Sequence, residues 1–211
     1  MRLAILLSGR GSNFEAIHRA IADGRLNAKI VIVVSNRPDA PGLARARELG
    51  LSAHCFDHRQ YPAREAHEED VLRAIAESEA DFIVLAGYMR LLSPAFVAAY
   101  PHRILNIHPS LLPAFPGVDA QAQALRYGVR VSGCTVHFVD ENLDAGPIIV
   151  QRAVPVLDGD TAESLAGRIL EQEHEAYVEA LSALSTRQWR VEGRRVIFES
   201  EQRAASSEQG V

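Results

Sequence analysis

Short runs dominated by apolar residues, at 3–7, 29–34, 81–86 and again from Ile104, constrain the fold of this 211-residue chain more than any other feature. A strand with one wet face alternates in polarity, and these runs do not. Each therefore reads as a strand covered on both faces, the condition of a parallel sheet with helices above and below it. The intervening segments supply those helices. Phe14, Ile17, Ala20 and Ile21 recur at helical spacing, with Ser12 and Asn13 as candidate caps. Residues 41–49 form a second helical pattern that ends at Gly50, and a shorter strand is expected at 51–56. A helix over 63–78 has Ala66, Val71, Leu72 and Ile75 inward, with Glu65, Glu68, Glu69 and Asp70 as a solvated face.

Ser93-Pro94 opens a short helix to about residue 100, and another is expected over 121–127. The segment 132–139 reads as a strand and 148–154 as its antiparallel partner, joined by a long polar turn. Asp160-Thr161-Ala162-Glu163 resembles a capping box opening a helix to about residue 184. Trp189 and residues 196–198 suggest a final edge strand. The expectation is a single α/β domain over 1–200: a Rossmann-like, mostly parallel twisted sheet with helices on both faces and an antiparallel C-terminal strand pair. Residues 201–211, rich in Ala, Ser and Gln, read as a disordered tail.

Composition narrows the function classes. With 47% hydrophobic and 23% charged residues the chain is globular, and a net charge of -5 argues against nucleic-acid binding. Cys55 and Cys134 are too few for a disulfide framework, and no run suits a signal peptide or a membrane span, so a cytoplasmic protein without a membrane partner is expected. His54, Cys55 and His58 match no common zinc spacing, and no metal is expected.

Two loops after strands carry chemistry. Ser8-Gly9-Arg10-Gly11-Ser12-Asn13 joins the first strand to a helix N-terminus, where free backbone N–H groups and the helix dipole attract an anion. Phe14 stands where a dinucleotide fingerprint needs its third glycine, Ser35-Asn36 closes the second strand without an acidic residue, and no Gly-Lys-Ser/Thr follows. A small phosphate monoester fits best; a turn that needs glycine for geometry alone is the alternative. The second loop follows Asn106 and His108, two residues apart at a strand tip and so facing one way. Taken alone, His108 is equally readable as a strand end bonded to a loop carbonyl. Apolar residues near Met89, Leu91 and Leu92 offer a ring-sized pocket, and Asp144 lies in the long turn. An amide, an imidazole and a carboxylate without a Ser or Cys nucleophile suggest acyl transfer in which the substrate supplies the nucleophile.

The segments at 8–13, 106–113 (Asn-Ile-His-Pro-Ser-Leu-Leu-Pro) and 133–147 (ending Asp144-Ala145-Gly146-Pro147) resemble those of the folate-dependent formyl-transfer superfamily. Within it the chain is most similar to the phosphoribosylglycinamide formyltransferases, over roughly residues 1–189. The resemblance implies that 10-formyltetrahydrofolate, as co-substrate and without a metal, donates its formyl group to the amine of glycinamide ribonucleotide. It implies that Asn106 and protonated His108 stabilise an oxyanion, with Asp144 favouring the imidazolium. Gly11, Ser12 and Asn13 would bind phosphate and Glu173 the ribose or glycinamide portion, although on residues alone Glu173 is a solvated helix charge. Arg64, Met89, Arg90, Leu91, Leu92, Asn106, Asp140, Glu141, Asn142, Leu143 and Asp144 would hold the reduced folate, and the bond before Pro113 would be cis.

His137 reads as a site wall or packing residue. Many members of the family it resembles carry His where this chain has Gln121, and some carry a second His at the position of Asp119, which puts in doubt a loop role for imidazoles there. The extra domains of the methionyl-tRNA enzyme and of the formyltetrahydrofolate hydrolase have no room in this length. That hydrolase and a non-catalytic folate or nucleotide sensor are the alternatives, and a homodimer is left open.

Overall fold

The computed structural model of the protein describes residues 1–199, so the tail read from Glu201 lies outside the described residues. The chain runs β1 (Arg2–Leu7), α1 (Ser12–Ala22), β2 (Lys29–Ser35), α2 (Pro41–Glu48), β3 (Ala53–Cys55), α3 (Arg64–Glu77), β4 (Phe82–Leu85), α4 (Pro94–Ala99) and β5 (Ile104–His108). It continues through α5 (Ala120–Tyr127), β6 (Val131–Phe138), β7 (Ile148–Pro155), α6 (Ala162–Thr186), β8 (Trp189–Glu192) and β9 (Arg195–Phe198).

All strands join one sheet in the order β3-β2-β1-β4-β5-β6-β7-β9-β8. Pairing is parallel from β3 to β5, and antiparallel from β5 to β6 and from β6 to β7. β1 explains the uninterrupted apolar runs. Its Leu3, Ile5 and Leu7 belong to a core with Phe14, Ile17, Tyr177 and Leu181 of α1 and α6. Its Ala4 and Leu6 join Val71, Ile75 and Phe96 of α3 and α4 on the opposite face. Both faces are dry from Leu3 to Leu7, so no position there can be polar without cost. The strand order reverses direction between β1 and β4, and ligands of open α/β sheets bind beyond the carboxyl ends of strands at such a point.

Four local expectations are revised. α1 takes Gly11 as its N-cap, so Ser12 and Asn13 lie inside its first turn and cap nothing. Glu68 is buried, because Ser93 and Arg64 close over it. The capping box of α6 pairs Thr161 with Ser164 rather than Asp160 with Glu163. The single expected edge strand is the hairpin β8–β9, held to β7 through one parallel pair, Ile148 with Arg195. Trp189 anchors it, with ring centroids 5.3 Å from Phe138 and 6.3 Å from Phe82.

Candidate active site

The loop after β1 is built around two glycines that approach closely. Gly11 has φ 76°, and a Cβ there would lie 3.2 Å from the Gly42 Cα. Gly42, at the start of α2, donates its N–H to the Gly9 carbonyl at 3.0 Å. A Cβ on Gly42 would meet Leu7 Cδ2 at 2.9 Å and the Arg10 carbonyl at 3.0 Å. Helix α2 thus braces the loop from behind. Among the described residues no side chain caps α1, which leaves its first N–H groups open to an anion. Asn13 instead turns to α6, where its Nδ2 donates to Glu173 Oε2 at 2.9 Å, while its own Oδ1 is buried without a partner. Glu173 is 9% exposed, and burial pushes its carboxyl pKa up against the Asn13 hydrogen bond and the His108 charge, which lower it.

Asn106 and His108 lie on β5, opposite His137 and Thr135 of β6. His108 is buried; its Nε2 donates to the Phe115 carbonyl at 2.8 Å and its Nδ1 sits 3.3 Å from Asp144 Oδ2. Both neighbours are acceptors, so the ring form that can donate to both is the imidazolium. The bond to a loop carbonyl and the ion pair with Asp144 therefore coexist at this residue. Asp144 holds a left-handed backbone, φ 49°, and its Oδ2 also accepts the Gly117 N–H at 2.8 Å. His137 donates from Nδ1 to the Phe138 carbonyl at 2.8 Å. Its Nε2 lies 3.4 Å from Asn106 Nδ2 and 3.9 Å from Asp144 Oδ1.

The residues assigned to folate lie at the start of α3 (Arg64), on β5 (Asn106) and on two loops. Glu68 Oε1 accepts from Arg64 Nε and from the Ser93 N–H, both at 3.0 Å, clasping Arg64 to the end of the 89–92 segment. In that segment Met89 and Leu91 are exposed while Leu92 packs against the core. Met89 N–H donates to Ser8 Oγ at 2.8 Å, which ties the segment to the tip of β1. In the other loop Asp140 Oδ1 accepts the Asn142 N–H at 2.9 Å, and Glu141 and Leu143 are exposed. The peptide bond between Leu112 and Pro113 is cis.

Sequence reasoning missed Gly42 and Glu68. A glycine inside a short helix and a carboxylate on an amphipathic one carry no mark of what another element brings against them. Among the described residues no group of three or more His, Cys, Asp and Glu could hold a metal ion, and His58 Nδ1 faces the Asn36 carbonyl at 3.0 Å. No helix among them is long and apolar enough to cross a membrane.

Residues 1–181 match the formyl transferase family. The chain is 41% identical to phosphoribosylglycinamide formyltransferase of Escherichia coli (strain K12), covering 95% of this chain and 92% of that protein. It is 46% identical to the trifunctional purine biosynthetic protein adenosine-3 of Drosophila pseudoobscura pseudoobscura over 88% of this chain, yet spans only 14% of that relative's length. Among solved structures, glycinamide ribonucleotide transformylase 1 from Symbiobacterium toebii superposes with a TM-score of 0.92 at 48% identity, covering 95% of this chain and 94% of that one.

Proposed function

The chain belongs to the formyl transferase family, and from that premise we propose that it transfers the formyl group of 10-formyltetrahydrofolate to the amino group of phosphoribosylglycinamide in purine biosynthesis. The observation that carries this reading is the buried His108–Asp144 pair beside Asn106 at the tip of β5, with β4 alone between β5 and β1, the strand whose loop leads to the N-terminus of α1.

Gly11, Ser12 and Asn13 receive the substrate phosphate on backbone N–H groups, and Glu173 accepts from its ribose or glycinamide portion. Arg64 and Arg90 supply positive charge for the carboxylates of the reduced folate, and Met89, Leu91 and Leu92 line its ring. The loop from Asp140 through Glu141, Asn142 and Leu143 to Asp144 closes its other side. The neutral amine attacks the formyl carbon, and the carbonyl electrons collect on oxygen. Asn106 donates an Nδ2–H to that oxyanion and the His108 imidazolium stabilises it electrostatically. With Nε2–H tied to the Phe115 carbonyl, the proton free to move is the one on Nδ1, beside Asp144. Collapse of the intermediate breaks the bond from carbon to the folate nitrogen N10. The proton lost by the attacking amine passes through the Asp144–His108 pair to N10, which balances the transfer.

The test mixes purified protein with 10-formyltetrahydrofolate and phosphoribosylglycinamide and follows deformylated folate by absorbance. Turnover that depends on the amine is expected, and Asn106→Ala should slow it ~10²- to 10³-fold. Equal turnover without the amine would instead make the protein a formyltetrahydrofolate hydrolase. Ligand binding with turnover indifferent to His108→Ala would make it a sensor. The proposed setting is the cytoplasm, where Cys55 and Cys134 stay reduced.

A further inference from the structure

His137 touches the site without a part in the chemistry above. Antiparallel pairing of β5 with β6 sets it directly opposite Asn106, and it is 2% exposed. Its Nδ1 has a carbonyl partner, that of Phe138 at 2.8 Å, and a carbonyl can only accept. Nδ1 therefore carries a proton, and in the neutral ring Nε2 is a bare lone pair. That lone pair lies 3.4 Å from Asn106 Nδ2. A carboxamide can present either its oxygen or its NH₂ to a neighbour, and only the NH₂ is attracted to this one. The amide of Asn106 has no other side-chain hydrogen bond among the described residues, so nothing else selects between its two orientations.

We propose that His137 is a positioning residue: as a neutral imidazole it accepts one Nδ2–H of Asn106 and so keeps the second Nδ2–H aimed at the oxyanion. The proposal rests on the role given to Asn106 above. Protonation of His137 would undo it, because the imidazolium has no lone pair and would be drawn to Asp144 Oδ1, 3.9 Å away. The charged and titratable groups that face the ring are Asp144 and Asp140 of the turn after β6, which favour its cation, and His108 of β5, which opposes it. Burial outweighs them and pushes the pKa of His137 down, so the neutral ring persists at physiological pH.

The experiment compares His137→Phe, His137→Gln, Asn106→Ala and the His137→Phe/Asn106→Ala double variant in acceptor-dependent turnover, with folding checked by circular dichroism. Phe keeps a ring and lacks the lone pair; the Gln Oε1 can accept in place of Nε2. We expect kcat to fall at least ~10-fold in Phe while KM for the amine changes less than ~3-fold, a share of what loss of an oxyanion donor costs. Gln should recover most of kcat, and its kcat should persist to lower pH than that of the wild type. Phe should cost less than ~2-fold further in the Asn106→Ala background, because both changes remove one device.

Wild-type kcat in folded Phe, a Gln variant as slow as Phe, or full additivity in the double variant would overturn the proposal and leave the function intact. Full activity of Asn106→Ala would overturn the reading of the site itself. Should Phe fail to fold, the Gln rate and its acid limb decide alone: an unmoved limb rejects the proposal.

Discussion

A carboxyl group as buried as Glu173, with Asn13 as its one hydrogen-bond donor among the described residues, is costly to ionise until a ligand adds more donors. Because its folded pKa is raised, the folded state holds more protons than the unfolded chain just above the ordinary carboxylate range, and stability falls as pH rises through that window. Glu173→Gln has no such proton to lose. It should melt higher than wild type at neutral pH in calorimetry, with the advantage vanishing in acid. The same change removes a charged acceptor worth about 1.5–3 kcal/mol, so KM for the ribonucleotide should rise ~10- to 100-fold in steady-state kinetics. Asn106, His108 and Asp144 could be picked out in the sequence because polar types interrupt an apolar run or sit in a long turn. Glu173 and Glu68 could not be read as buried from their own helices, since burial there is imposed by α1 and by the loop ahead of α4.

Among elements, the loop after β1, the proposed phosphate site, depends on a neighbour outside its own motif. Adding a Cβ at Gly42 drives it into Leu7 and two backbone carbonyls, and overpacking of this kind costs about 1–3 kcal/mol. Gly42→Ala should raise KM for the ribonucleotide ~10-fold with little change in kcat. It should also lower Tm by several degrees, at about 2–4 °C per kcal/mol for a chain of this size. Kinetics with varied acceptor and a thermal melt check the two halves. Strands β1, β2, β4 and β5 were legible because burial on both faces leaves a continuous apolar run. The start of α1 was not, since the preference of Ser and Asn for caps yielded to the left-handed turn at Gly11. The hairpin β8–β9 was half seen, as strands of four residues linked to the sheet by one pair leave little pattern.

Across the whole molecule, α6 ties the sheet together beneath the site. The hydroxyl of fully buried Tyr177 donates to the Leu85 carbonyl at 2.7 Å and lies 3.3 Å from that of Leu105, next to Asn106. Tyr177→Phe removes this bond at a cost of about 0.5–1.5 kcal/mol, which should lower Tm by roughly 1–6 °C in one cooperative transition followed by circular dichroism. No local pattern foretells such a bond across 92 residues of chain. By itself the sequence determined the layered α/β architecture and marked the loop after β1 and Asn106, His108 and Asp144 as candidates, because periodicity and residue type are local quantities. Only the tertiary structure decided that His108 is held between Phe115 and Asp144, that His137 faces Asn106, and that Glu173 and Glu68 are buried. Those outcomes depend on strand register and on which surfaces exclude water, and both are set jointly by segments far apart in the chain.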